Sequence, residues 1–103
     1  MLNTMPTKNR FKLTPNALND LKQIARYTQN KWGKQKRSVY LTALNNRFIW
    51  LSHNPDIGYS REDIKPNYLS YPEGKHVIFY RKSKNFIEIL GILHQNMDFG
   101  LHL

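Results

Sequence analysis

Residues 75–94 read Lys75-His76-Val77-Ile78-Phe79-Tyr80-Arg81, then Lys82 to Asn85, then Phe86-Ile87-Glu88-Ile89-Leu90-Gly91-Ile92-Leu93-His94. Two apolar runs joined by a short polar stretch predict a β-hairpin. Both runs are apolar on both parities, which marks central strands covered on each face rather than a sheet with one side in water. Just upstream, Tyr68 to Tyr71 followed by a Pro72-Glu73-Gly74 turn adds a strand, so the C-terminal half reads as a three-stranded antiparallel meander. Residues 55–67, from Pro55-Asp56-Ile57-Gly58 to Ile64-Lys65-Pro66-Asn67, are rich in turn formers and predict a long ordered loop of the kind that often carries function.

Two helices precede that loop. Thr14-Pro15 is a helix start, because Thr caps orphan amides and Pro at the first helical position loses no hydrogen bond. The first helix runs to about Trp32, with Leu18, Leu21, Ile24, Ala25 and Trp32 on one face, Lys22, Gln23 and Arg26 opposite, and Gly33 as its stop. A second spans about residues 35–53 and ends at Asn54-Pro55, since a residue before proline is pushed out of helical geometry. Its apolar residues, among them Val39, Tyr40, Leu41, Leu44, Phe48 and Trp50, sweep about 200° of the helical wheel, with Ile49 outside even that arc, whereas a stripe of about 100° suffices for one core. Either this helix sits deep, against both its neighbour and a sheet, or part of the arc awaits a partner. Arg10 to Thr14 alternates and forms a first strand.

The predicted class is α+β: an N-terminal strand, a two-helix hairpin and the meander, with the helices on one sheet face. The other face is then a shallow groove or a docking site for another chain. Residues 1–9 read as a flexible extension, 10–98 as the single domain and 99–103 as a C-terminal tail. A length of 103 residues, 40% hydrophobic, supports one core and no second. Sixteen Lys and Arg against seven Asp and Glu give a charge of +9 and predict an acidic partner, either nucleic acid or protein. No cysteine is present, which excludes disulfides and thiolate metal sites. With no membrane-length apolar run and no secretory start, the expected location is the cytoplasm.

The register of the last hairpin is open from sequence. If Arg81 opposes Phe86, then Arg81, Phe79, Val77 and Lys75 share a face with Glu88, Leu90, Ile92 and His94, and His76 points away. One residue more or less in the turn brings His76 beside His94. Either register lets a cation and an imidazole share the face the helices leave open. An RNA-cleaving site needs a base, an acid and a cation on the phosphate; His94 or Glu88 as base and Arg81 or Lys75 as cation would supply them. Glu88 is more simply an ion-pair partner, and a histidine at a strand end more simply a packing residue. His53, His76, His94 and His102 lack metal-ligand spacing, and no phosphate loop or nucleophile motif is visible, so no metal or cofactor is expected. The cations are spread along the chain from Lys8, Arg10 and Lys12 through Lys31, Lys34, Lys36 and Arg37 to Lys82 and Lys84. Aromatics fall mainly at core spacing rather than among them, which disfavours a direct, sequence-specific DNA contact.

Several segments in order carry a family resemblance: Phe11-Lys12-Leu13-Thr14-Pro15-Asn16-Ala17, Tyr27 with Trp32-Gly33, Tyr40-Leu41, Asn54-Pro55-Asp56-Ile57-Gly58, Arg61-Glu62-Asp63-Ile64, Gly74 to Arg81, and Ile92-Leu93-His94-Gln95-Asn96-Met97-Asp98. Over residues 10–98 they resemble the ParE toxins of bacterial type II toxin-antitoxin modules, within the RelE/ParE superfamily. The resemblance implies a helical hairpin on a small antiparallel sheet and a growth-inhibiting toxin neutralised by a ParD-like antitoxin. It also implies action by poisoning DNA gyrase rather than by catalysis, with DNA met only through antitoxin or gyrase. Messenger RNA cleavage on the ribosome, as in RelE relatives, is the alternative, for which His94 matches a histidine of some of those nucleases. Target-contact candidates are Arg61, Lys75, His76, Arg81 and His94. Candidates for covering by the antitoxin's acidic, amphipathic C-terminal segment are Trp32, Tyr40, Leu41, Leu44, Phe48, Ile49, Phe79, Leu90 and Ile92. The chain departs from the ParE pattern at Leu69 and Asn96, where arginines are frequent.

Overall fold

A computed structural model of the chain describes residues 10–103. The expected 1–9 extension and Lys8 lie outside the described residues. Along the chain come β1 (Phe11–Leu13), α1 (Pro15–Trp32), α2 (Lys34–His53), β2 (Tyr59–Ser60), β3 (Leu69–Glu73), β4 (His76–Lys82), β5 (Ile87–His94) and α3 (Phe99–His102). The strands form one sheet in the order β1-β5-β4-β3-β2, with β1 parallel to β5 and every other pair antiparallel. This is the α+β arrangement expected, enlarged by β2, which arises inside the 55–67 loop and pairs Tyr59 with Ser70 and Ser60 with Leu69. A two-residue strand has too little periodicity to be read locally; its partner creates it.

The hairpin follows from its punctuation. Thr14 Oγ1 accepts from the amide of Ala17, Pro15 opens α1, and Gly33 at φ 93° breaks the helix so that α2 starts at the next residue. Ala17 and Ile24 of α1 and Leu44, Phe48 and Leu51 of α2 then pack on Ile78, Tyr80, Ile87, Ile89 and Ile92. Full burial of a Leu, Ile or Phe side chain is worth about 1.5–3 kcal/mol, so this cluster dominates stability. Tyr80 is wholly buried, yet satisfied: its hydroxyl donates to Pro55 O and accepts from Gly58 N–H, both at 2.9 Å. Leu69, one of the two departures from the ParE pattern, packs against the same core.

A β-bulge decides the register. Arg81 faces Glu88 and Lys82 faces Ile87, but Tyr80 pairs with Ile89 while Phe79 pairs with Gly91, leaving Leu90 as the extra residue. Arg81 and Glu88 therefore share a face, as one sequence register required, whereas past the bulge His76 faces His94, as the other required. β1 stops pairing at Ile89, and polar side chains from the start of α1 serve the exposed edge of β5: Asn16 Nδ2 donates to Leu90 O at 3.3 Å, and Asp20 Oδ2 accepts from Ile92 N–H at 3.0 Å.

The outer sheet face is not open, contrary to the expectation from sequence. Tyr68, Phe79, Leu90 and Leu93 are buried there, with Val77 beside them in the sheet and Ile64, Phe99 and Leu103 packed over them. Residues 99–103, set apart above as a tail, supply α3, whose Phe99 ring meets Phe79 at 4.9 Å between centroids. Arg61 pairs with Asp63 through two 3.0 Å bonds and lies over both rings, while Lys65 Nζ donates to Leu103 O at 2.7 Å. Two-sided apolar strands did require two covers; the second comes from the loop and the C-terminus, whose few apolar anchors sit among polar residues.

Candidate functional site

The bare apolar surface lies elsewhere, in a groove of about 880 Å³ between the far end of the helical hairpin and the end of the sheet where β4 begins and β5 finishes. Ile24, Val39, Tyr40, Ala43 and Ile92 line it, and Lys31, Lys36 and Lys75 enter from α1, α2 and the β3–β4 turn. Tyr27, Trp32 and Val39 stand 61%, 61% and 62% exposed. Such exposure is what a partner would remove.

The groove's one carboxylate does not offset its cations. Asp20 is tied to the Ile92 amide, and burial holds its carboxyl above the ordinary range against the opposing pull of that bond and of His102. The other acids are also engaged within the fold: Glu73 with Arg47 and Glu88 with Arg81 at 2.7 Å, Asp63 with Arg61, Asp56 with Lys82, and Glu62 and Asp98 with the Asn67 and Gly100 amides. From Leu21 to Pro55 the chain carries Lys22, Arg26, Lys31, Lys34, Lys36, Arg37 and Arg47 and no Asp or Glu. Among these seven, Arg47 is the one in an ion pair.

Two imidazoles close the floor of the groove. His76 and His94 meet edge to face at 5.6 Å between centroids, and His76 Nδ1 lies 2.5 Å from the Tyr40 hydroxyl, which lies 3.2 Å from Glu73 O. The hydroxyl has one proton, so the imidazole tautomer sets which of Tyr40 and His76 donates in their shared bond. Burial, and secondarily His94, hold the His76 imidazole below its usual range; burial, and secondarily Glu73, raise Tyr40. His94 Nδ1 accepts from the Asn96 amide at 3.2 Å.

The sequence candidates are thus redistributed. Lys75, His76 and His94 gather in the groove on the helix side, whereas Arg81 is bonded to Glu88 on the other face of the sheet and Arg61 is clamped over the Phe79 and Phe99 rings there. The trio His94, Arg81 and Glu88 is not assembled, and neither His76 nor His94 shares the outer face with Arg81: the bulge reverses the parity between Glu88 and His94. Of the residues expected to meet an antitoxin, Trp32 is exposed and Tyr40, Leu41 and Ile49 are half-buried. Leu44, Phe48, Phe79, Leu90 and Ile92 are core, 7% exposed or less; on α2 the apolar arc is split, with Leu44, Phe48 and Leu51 buried and Val39 left 62% exposed. Tyr27, Val39, Lys31 and Lys36 were not singled out for this site; the absence of acids between residues 21 and 55 was the readable signal. Among the described residues no group of three or more His, Cys, Asp or Glu side chains could hold a metal ion.

Comparison with known proteins bears on this geometry. The family model described as "ParE toxin of type II toxin-antitoxin system, parDE" matches residues 11–99. Toxin ParE1 of Mycobacterium tuberculosis (strain H37Rv) is 32% identical over 96 residues, covering 92% of this chain and 98% of the relative. Toxin ParE1 of Caulobacter vibrioides is 30% identical over 93 residues, covering 90% and 96%. A solved chain from the "Chromosomal ParDE TA system from P. aeruginosa" superposes with a TM-score of 0.71 at 19% identity, over 86% of this chain and 98% of that one, a likeness of fold. These matches place the strand, helical hairpin and meander among the toxins of type II toxin-antitoxin systems. The chain belongs to the ParE toxin family of type II toxin-antitoxin systems.

Proposed function

We propose that the chain inhibits growth without catalysis, by binding and poisoning DNA gyrase in the cytoplasm, and that a ParD-like antitoxin neutralises it by laying an acidic, amphipathic C-terminal segment in the groove. The observation that carries the antitoxin reading is the groove itself: an apolar floor, half-exposed rings and three lysines from three elements with no free carboxylate among them. An amphipathic helix places its apolar face in such a groove and its acids at the rim. A segment that orders only on binding can still bind tightly to a preformed surface. Charge attraction should speed association at low salt. A non-catalytic toxin is supported by the separation of Arg81 and Glu88 from the imidazoles.

The test is controlled expression with separate readouts. Gyrase poisoning gives cleaved DNA trapped with gyrase and intact messenger RNA; RNA fragments without DNA breaks would overturn it. A second reading, an endoribonuclease, is favoured by one observation, the pairing of His76 with His94. It requires His76→Ala or His94→Ala to abolish toxicity and, with it, the messenger RNA fragments that the native chain produces. For the antitoxin, the purified chain should form a tight complex with a ParD-type protein encoded beside it, weakened by Lys31→Glu with Lys36→Glu. Absence of such a complex would overturn that part alone.

A further inference from the structure

The helical hairpin carries more positive charge than a groove occupant can meet. Lys31 and Lys36 line the groove, but Lys22, Arg26, Lys34 and Arg37 do not, and no acid accompanies them on either helix after Asp20. Arg37 Nη1 donates to Gln29 Oε1 at 2.6 Å across the hairpin, but none of the four meets a carboxylate. Lys22 and Arg26 repel at i,i+4, and Lys34, Lys36 and Arg37 crowd the first turn of α2, where the macrodipole disfavours cations. Two aromatic rings stand among them. Tyr27 and Trp32 are each 61% exposed, and the Lys31 ammonium lies 5.7 Å and 5.6 Å from their centroids. Core spacing, the reason given above for setting direct nucleic-acid contact aside, does not describe these two residues.

Cations without carboxylate partners, interleaved with exposed rings, match a single strand, whose phosphates seek the cations and whose bases stack on the π-faces. We propose that the tip of the helical hairpin, formed by Tyr27, Lys31, Trp32, Lys34, Lys36 and Arg37, binds single-stranded nucleic acid through phosphate contacts and base stacking, without sequence readout. An acidic protein segment in the groove is a poorer match for this surface, because Lys34 and Arg37 lie outside the groove lining and would stay uncompensated. Since Lys31 and Lys36 belong to both surfaces, an antitoxin in the groove would compete with the strand. The inference does not depend on the antitoxin reading.

The experiment is fluorescence anisotropy of a labelled 20-nucleotide oligothymidine with the whole chain, without antitoxin, across a salt series. Log affinity should fall linearly with log salt with a slope of about −3, for about four phosphate contacts on a single strand. Tyr27→Ala with Trp32→Ala should weaken binding about tenfold or more with the slope kept, since a stacked base is worth about 1–3 kcal/mol. Lys34→Ala with Arg37→Ala should reduce the slope by about 1.4. Lys12→Ala with Lys84→Ala, an equal charge loss at exposed sites outside the proposed tip, should change little. In a Trp50→Phe background the oligonucleotide should quench Trp32 fluorescence, a readout that needs no ring variant to fold. Equal weakening by the Lys12 and Lys84 pair, or absence of quenching, would overturn the proposal. So would absence of oligonucleotide binding by a chain that still forms its antitoxin complex; binding by a chain with no antitoxin partner supports the site and overturns the other reading alone.

Discussion

At the scale of single residues, this protein settles its buried polar groups by local exchange. The Tyr80 hydroxyl serves a loop carbonyl and a loop amide from inside the core, and Asp20 and Asn16 replace the strand that β5 lacks beyond Ile89. His76 is different, because its environment opposes its charged form. Burial and His94 lower its pKa, so as pH falls through the ordinary imidazole range the unfolded chain takes up a proton that the folded chain refuses. The sign follows: the unfolded state binds more protons, stability is higher above that range, and it declines with falling pH until the lowered folded value is reached. The urea midpoint should therefore drop between pH 7.5 and pH 5 by more in the native chain than in His76→Gln; equal drops would mean that His76 is not held neutral. The composition announced four histidines, but only the cross-strand pairing of His76 with His94 and the Tyr40 hydroxyl from α2 give one of them this property.

At the scale of elements, boundaries were legible where a residue type enforces them, and strand pairing was not. Thr14-Pro15, Gly33 and Asn54-Pro55 set the ends of α1 and α2 to within a residue, because caps, left-handed glycine and pre-proline sterics act within a few bonds. Gly33 has nothing within 4 Å of where a Cβ would stand, so Gly33→Ala meets backbone strain alone at φ 93°. It should cost about 1–2 kcal/mol, a fall in Tm of about 4–8 °C per kcal/mol for a domain near this size. Thermal melts of Gly33→Ala and a neighbouring Lys34→Ala separate this strain from loss of a side chain; a Tm unchanged in Gly33→Ala would contradict it. The bulge at Leu90 shows the opposite case. An extra residue in a strand of continuous apolar character leaves no mark on hydropathy, yet it alone puts His94 beside His76 and away from Arg81.

At the scale of the whole molecule, one sheet carries two unequal covers. The helical hairpin is one; the other is a strap of loop and C-terminus held by Phe99 on Phe79, Arg61 over both rings and Lys65 on Leu103. Ending the chain at Asp98 should bare Phe79, Leu90 and Leu93, lower the urea midpoint and raise binding of a hydrophobic dye; an unchanged midpoint would mean the strap adds nothing to stability. By itself the sequence determined the order of elements, the two-layer demand of β4 and β5, the net charge and the resemblance to ParE toxins, since periodicity, capping and composition are local or additive properties. Only the tertiary structure decided which segments roof the outer face, which aromatics remain bare and which cations are left unpaired. Those outcomes depend on which side chains occupy the same space: the sequence already leaves residues 21–55 without an acid, and folding then engages all seven acids elsewhere, so that six of the seven cations there have no carboxylate partner.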